Sequence, residues 1–178
     1  VHPETSLSVI LPARNEERDL RASVESLLGQ RAVTTGGRVR LEIIVVDDHS
    51  TDRTGEIGDA LAREDDRVRV LHAPELPAGW LGKANAMQRG LDLATGEHIL
   101  ISDADIVHDE RCIGTALADL EERRSDFLSF YPRIECESLW GNVVVPLINT
   151  GFGEFPKYPA LAAGAFMLAR ADVLRGEG

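Results

Sequence analysis

Short apolar runs recur along the chain at intervals that leave room for a helix between them. "LSVIL" (7–11), "LEIIVV" (41–46), "RVRVL" (67–71) and "HILIS" (98–102) are β-rich and mostly lack the polar alternation of a strand with one wet face. They predict buried strands. Between them, Leu20, Val24, Leu27 and Leu28 share one helical face, which predicts an amphipathic helix. Ile57, Ala60 and Leu61 begin a second, and Ala84, Met87 and Leu91 mark a third. Ile113, Ala116, Leu117 and Leu120 give a fourth, with Asp109 as its expected N-cap. "AAGAFMLAR" (162–170) predicts one more strand.

Buried strands alternating with helices imply an α/β fold, a mainly parallel sheet flanked by helices on both faces. Ligands of such sheets bind at the carboxyl ends of the strands. The polar clusters fall there: "PARNE" (12–16) after the first strand, "DDHSTD" (47–52) after the second, "APELPAGWLGK" (73–83) after the third and "DAD" (103–105) after the fourth.

Asp103 and Asp105 pose the sharpest chemical question. Side chains two apart on an extended segment share a side. At about 6 Å and an effective dielectric near 20, two carboxylates repel by roughly 3 kcal/mol. A divalent cation between the pair and a phosphate would relieve this, since Mg²⁺ and Mn²⁺ favour carboxylate and phosphate oxygens. The plainer alternative is that Asp103 ends the strand and Asp105 caps the next turn. Asp47, also at a strand end, is a candidate acceptor for a base imide or ribose hydroxyl, whereas at least one of Asp48 and Ser50 reads as a loop or helix-cap residue. "GWLGKANA" lacks the P-loop pattern, because Ala84 follows Lys83 and Pro77 stands where the first glycine belongs. Lys83 could still meet a diphosphate at a helix start, or simply be solvated. Trp80 reads equally as loop anchor or ligand platform. No G-x-G-x-x-G follows the first strand, and the histidines show no metal-ligand spacing.

Composition narrows the partners. The length, 178 residues with 43% hydrophobic and 28% charged, suits one domain with a sizeable core. A net charge of −11 argues against a broad grip on nucleic acid. Cys112 and Cys136 have no CxxC or disulfide-rich pattern, which suggests a reducing compartment, and neither is a persuasive nucleophile. No apolar run approaches the roughly 18 residues needed to span a bilayer. Eight of the nine aromatic residues lie after position 126, and "ESLWGNVVVPLINTGFGEFPKYP" (137–159) is apolar and broken by Gly and Pro. This part suggests a surface for a second substrate, although a buried core or a dimer interface explains it too. The start at Val1 and the stop at "VLRGEG" suggest a C-terminally truncated chain.

Taken in order, "LSVILPARNE", "LEIIVVDDHSTDRT", "GWLGKANAMQRGLDLATGEHILISDAD" and "AAGAFMLARADVL" resemble a family 2 glycosyltransferase with the GT-A nucleotide-sugar-binding fold, over nearly the whole chain. "PAGWLGK", "DADIVH" and "CESLWGNVVVPLI" look like the hopanoid-associated bacterial branch, which implies a lipid acceptor. The resemblance implies a single GT-A-like catalytic domain over 1–178, with a nucleotide-sugar-binding half (1–105) and part of an acceptor half (106–178). It implies inverting transfer from a nucleoside-diphosphate sugar, with UDP favoured, in the cytoplasm or at the inner face of its membrane. Pro12, Ala13, Arg14 and Glu16 would surround the nucleoside, Asp47 would bond the base, and Lys83 would lie near the base or diphosphate. Asp103 would contact the ribose or sugar, and Asp105 would ligate Mg²⁺ or Mn²⁺. The acidic base is expected beyond Gly178, since Glu177 comes too early. Two other readings stand beside this one. In a haloacid-dehalogenase-type phosphatase, "DADIV" would make Asp103 the nucleophile and Asp105 the acid/base, with Lys157 the only later lysine. The other is a non-catalytic nucleotide-sugar-binding module.

Overall fold

The computed structural model describes residues 5–31, 33–34, 37–130 and 164–176. The chain runs β1 (Ser6–Ala13), α1 (Leu20–Leu28), a small hairpin of β2 (Val33–Thr34) and β3 (Gly37–Arg38), β4 (Arg40–Asp47), α2 (Thr54–Glu64) and β5 (Val68–His72). It continues through α3 (Gly82–Leu93), β6 (His98–Ser102), α4 (Cys112–Arg123), β7 (Phe127–Ser129), β8 (Phe166–Arg170) and α5 (Ala171–Arg175).

The main sheet has the order β5-β4-β1-β6-β8-β7. β1 pairs in parallel with β4 and β6, and β4 with β5, while β8 is antiparallel to both β6 and β7. The chain builds outward from β1 to β4 and β5, then crosses back to add β6 on the other flank of β1. A crevice opens where the order reverses, between the carboxyl ends of β1 and β6.

Each central strand is apolar on both sides because both sides are covered. Val9, Leu11, Ile43, Val45 and Leu100 pack with Leu20, Val24 and Leu27 of α1, Leu61 of α2, and Ile113 and Leu117 of α4. Ile10, Ile44, Val46, Ile99 and Ile101 face Ala86 of α3 and Ala171 of α5. Full burial of each such Leu or Ile contributes roughly 1.5–3 kcal/mol.

Three details differ from the sequence expectation. The edge strand β5 is only partly covered, with Arg69 and His72 exposed. The buried face of α3 is Asn85, Ala86 and Gly90; Ala84 is exposed, and Met87 and Leu91 are only partly buried. The cause is close packing on β1, since a Cβ on Gly90 would lie 2.3 Å from Cγ2 of Ile10. Arg111 rather than Asp109 occupies the N-cap position of α4. Asp109 instead makes the preceding turn, its carboxylate accepting the Arg111 N–H at 3.0 Å and its carbonyl the Cys112 N–H at 2.9 Å.

Of the strand expected over 162–170, Phe166–Arg170 is observed as β8. The apolar segment 137–159, Cys136, Lys157 and Glu177 lie outside the described residues. Among the described residues, no helix is long and apolar enough to cross a membrane.

Candidate functional site

At the reversal of strand order lies a cavity of about 400 Å³ lined by Pro12, Ala13, Arg14, Glu16, Asp48, Gly82, Lys83, Asp103, Ala104 and Asp105. Four separate segments therefore meet at one place: the end of β1, the end of β4, the start of α3 and the turn after β6. Of the residues assigned to the nucleotide sugar or the metal from the sequence, all are among the lining except Asp47, and its neighbour Asp48 is there instead; Trp80, the other possible ligand platform, is not.

Strand alternation explains that difference. Successive side chains point to opposite faces, so Asp47 follows Ile43 and Val45 toward α2, whereas Asp48 follows Ile44 and Val46 toward α3. Asp47 is 8% exposed and accepts the Ser50 N–H at 3.1 Å; its second oxygen lies 3.1 Å from Nδ1 of His72. Asp48 is 5% exposed and reaches the first residue of α3, where a Cβ on Gly82 would come 2.4 Å from Oδ2. Gly82 is thus the residue that admits this carboxylate to the positive end of the helix. Arg14 Nη1 stands 3.9 Å from the same oxygen.

Asp103 follows Ile99 and Ile101 onto the α3 side, where Lys83 Nζ donates to its Oδ1 at 2.5 Å. Asp105 is exposed on the turn beyond the strand. Burial, then the charges of Asp105, Asp19, Asp103 and Asp52, push the Glu16 carboxyl above its ordinary value. An excess of negative charge at this rim suits a bound cation. Mg²⁺ typically takes only one or two carboxylates and completes its shell with water and phosphate oxygens, and the Asp103/Asp105 rim offers that donor set. Among the described residues, no three acidic, His or Cys side chains form a closed metal cage.

The loops after β1 and β4 are tied together by Asn15, Ser50, Thr51, Asp52 and Thr54, of which the sequence marks only Ser50, as a loop or cap residue. Asn15 donates its N–H to Ser50 Oγ at 3.1 Å, and its side-chain oxygen accepts the Thr51 N–H at 2.8 Å. Glu16 N–H donates to Thr54 Oγ1 at 2.7 Å, and Glu17 N–H to Asp52 at 3.2 Å. Arg14 and Glu16 therefore stand on a braced loop. The clustering of Asn, Ser, Thr and Asp in "RNE" and "STDRT" was the available signal, because these side chains bond nearby backbone.

A wider cavity of about 720 Å³ opens at the amino end of β6, among Glu97, Glu121, Arg124, Arg170, Asp172 and Arg175. Its arginines are largely engaged: Arg170 faces Asp172 and Asp126, and Arg175 donates to the Ala94 carbonyl at 2.7 Å. The smaller cavity gathers the chemistry. Trp80 is half-exposed in the loop before α3. Burial pushes the Cys112 thiol up, consistent with an unreactive cysteine.

A family profile, Glycosyl transferase family 2, matches residues 8–168. Glycosyltransferase GlyG of Streptococcus pneumoniae is 38% identical over 120 residues, covering 67% of this chain and 36% of GlyG. A dodecaprenyl-phosphate galacturonate synthase of Rhizobium johnstonii is 34% identical over 123 residues, covering 68% and 34%. The chain thus spans about a third of the length of these relatives. Among solved structures, the mannosyltransferase PcManGT of Pyrobaculum calidifontis, in complex with GDP-Man and Mn²⁺, superposes with a TM-score of 0.69 at 20% identity, over 98% of this chain and 47% of its own. That likeness carries the fold, the GT-A arrangement expected from the sequence. With the profile covering residues 8–168, most of its length, the chain belongs to glycosyl transferase family 2.

Proposed function

We propose that this chain holds the donor site of a metal-dependent inverting glycosyltransferase that takes a nucleoside-diphosphate sugar, with UDP as the carrier, and transfers the sugar to a lipid acceptor. The observation that supports it is the cavity where Lys83, Asp48, Asp103 and Asp105 converge with the Pro12–Glu16 loop. In this reading residues 1–178 form one catalytic domain, with 1–105 the donor half and 106–178 part of the acceptor half. Placement in the hopanoid-associated branch, and work at the inner face of the cytoplasmic membrane, belong to the same proposal and rest on "PAGWLGK" and "DADIVH". The Rhizobium relative's polyprenyl-phosphate name supports a lipid acceptor.

The nucleoside lies against Pro12, Ala13, Arg14 and Glu16. Asp48, and not Asp47, is the carboxylate turned toward it. Lys83 leaves Asp103 for the diphosphate, aided by the amino end of α3, and Asp103 is then free for a ribose or sugar hydroxyl. Asp105, with Asp103, would hold Mg²⁺ or Mn²⁺, which supplies Lewis-acid stabilisation of charge on the departing diphosphate. In the transfer, an acceptor oxygen bonds the anomeric carbon from the opposite face, the bond to the diphosphate oxygen breaks with its electron pair, and the acceptor proton passes to a base. No described residue is given the base's role.

The test is calorimetric titration of UDP with and without Mn²⁺ on the wild type and on Asp105→Ala. Metal-dependent binding that Asp105→Ala abolishes is the expected result. Absence of binding to the wild type in both conditions would sink the proposal. The phosphatase reading has only the "DADIV" motif in its favour, and Lys157, which it needs, lies outside the described residues.

A further inference from the structure

Among the described residues, three that are not glycine adopt positive φ, and two of them, Asn15 (58°) and His49 (58°), stand in the loops at this rim. Asn and His enter the left-handed region more often than most side chains, but the conformation is uncommon for either and carries a backbone cost. His49 is held there from both sides. Asp48 N–H donates to the Ala13 carbonyl at 2.8 Å and Ser50 N–H to Asp47 Oδ1 at 3.1 Å, so the residues flanking it are fixed.

The left-handed turn has a consequence for the side chains. In an extended chain, residues 48 and 49 would point apart. Here the turn brings the His49 ring back, with Nδ1 3.0 Å from Oδ1 of Asp48. A carboxylate offers acceptors only, so the Nδ1 proton is the donor. The His49 side chain is 42% exposed and that of Asp48 7% exposed. An outer ring therefore grips one oxygen of a buried carboxylate. The other oxygen, Oδ2, lies beside Gly82 at the cavity wall, with Arg14 no nearer than 3.9 Å. Unusual backbone at such a place is a reason to look for a function.

We infer that His49 is a positioning residue for nucleotide binding: it holds Oδ1 of Asp48 so that Oδ2 stays turned into the cavity to accept an N–H or O–H of the donor's nucleoside. The inference rests on the donor-site reading above. It makes the imidazole, rather than the backbone turn alone, the reason for a histidine at this position. A glycine would make the same turn with less strain but would leave Asp48 free to rotate.

UDP binding in excess Mn²⁺, measured by calorimetry beside thermal melting, tests this on wild type, His49→Gly, His49→Asn, Asp48→Asn and the Asp48→Asn/His49→Gly pair. His49→Gly is expected to keep or raise the melting temperature while weakening UDP binding about tenfold, the scale of one charge-assisted hydrogen bond. His49→Asn, which tolerates the turn and retains a donor, recovers binding to within about threefold of wild type. In the Asp48→Asn background, removal of His49 adds no further loss, because the two act as one unit. Wild-type affinity in His49→Gly, or an equal loss with and without Asp48, overturns the inference while leaving the donor site intact. If the wild type binds neither UDP nor GDP, the donor-site reading itself falls, and this inference with it.

Discussion

Lys83 Nζ lies 2.5 Å from Oδ1 of Asp103, an ion pair across the cavity mouth between the first turn of α3 and the end of β6. Both groups are partly exposed, so the pair adds little to stability. In the proposed donor site it places a cation to exchange Asp103 for the diphosphate. Lys83→Met is expected to weaken UDP binding about tenfold, with unfolding free energy changed by less than about 1 kcal/mol. Titration and denaturant unfolding of the same preparation check both.

Asp47 and Asp48 are expected to separate in experiment although adjacent in sequence. Asp48→Asn should cost donor affinity by about tenfold or more and stability little. Asp47→Asn should cost roughly 1–2 kcal/mol of stability, since its buried carboxylate accepts the Ser50 N–H and pairs with His72. The reverse pattern would mean that the nucleoside sits on the α2 side of the sheet.

Gly90 is the contact point of α3 with β1. Glycine within a helix ordinarily costs about 1 kcal/mol relative to alanine. Here the added methyl would meet Ile10 Cγ2 at 2.3 Å. Gly90→Ala is therefore expected to destabilise by about 1–3 kcal/mol, read as a fall in the denaturant midpoint. A stabilised variant would contradict the packing described.

Two histidines give the pH profile opposite slopes on either side of pH 6.5. Hydrogen bonds donated to Asp47, then to Asp59, raise the His72 imidazole above its ordinary value. The stability this contributes is fully present below pH 6.5 and is lost as pH rises through the folded value. With the side chain 55% exposed, the effect is less than about 1 kcal/mol. Burial pushes His108 down to about 4. Its contribution is present above pH 6.5 and is lost as pH falls toward 4, by roughly 3 kcal/mol. Unfolding free energies from pH 4.5 to 8.5 should peak near 6.5. The acid slope should flatten in His108→Gln and the alkaline slope in His72→Asn.

Much of the fold was legible because buried strands between helices leave long apolar runs, and "LSVIL", "LEIIVV" and "HILIS" became β1, β4 and β6. β5 was legible in position but not in burial, since its place at the sheet edge depends on which strands pair. α3 was legible as a helix but its face was not, because close approach at Gly90 depends on Ile10, distant in the chain. Arg14, Glu16, Lys83 and Asp103 could be placed near one another from the rule that parallel strands deliver their loops to one rim.

By itself the sequence determined the elements, the rim and the chemical character of the residues on it, since hydrophobic period and loop composition are local properties of the chain. Only the tertiary structure decided that Asp48 rather than Asp47 faces the cavity, that Lys83 neutralises Asp103, and that His49 turns back onto Asp48. Each of these depends on which face of the sheet a helix covers and on a backbone turn held by partners from another loop. Such relations arise only when segments far apart in the chain are packed together.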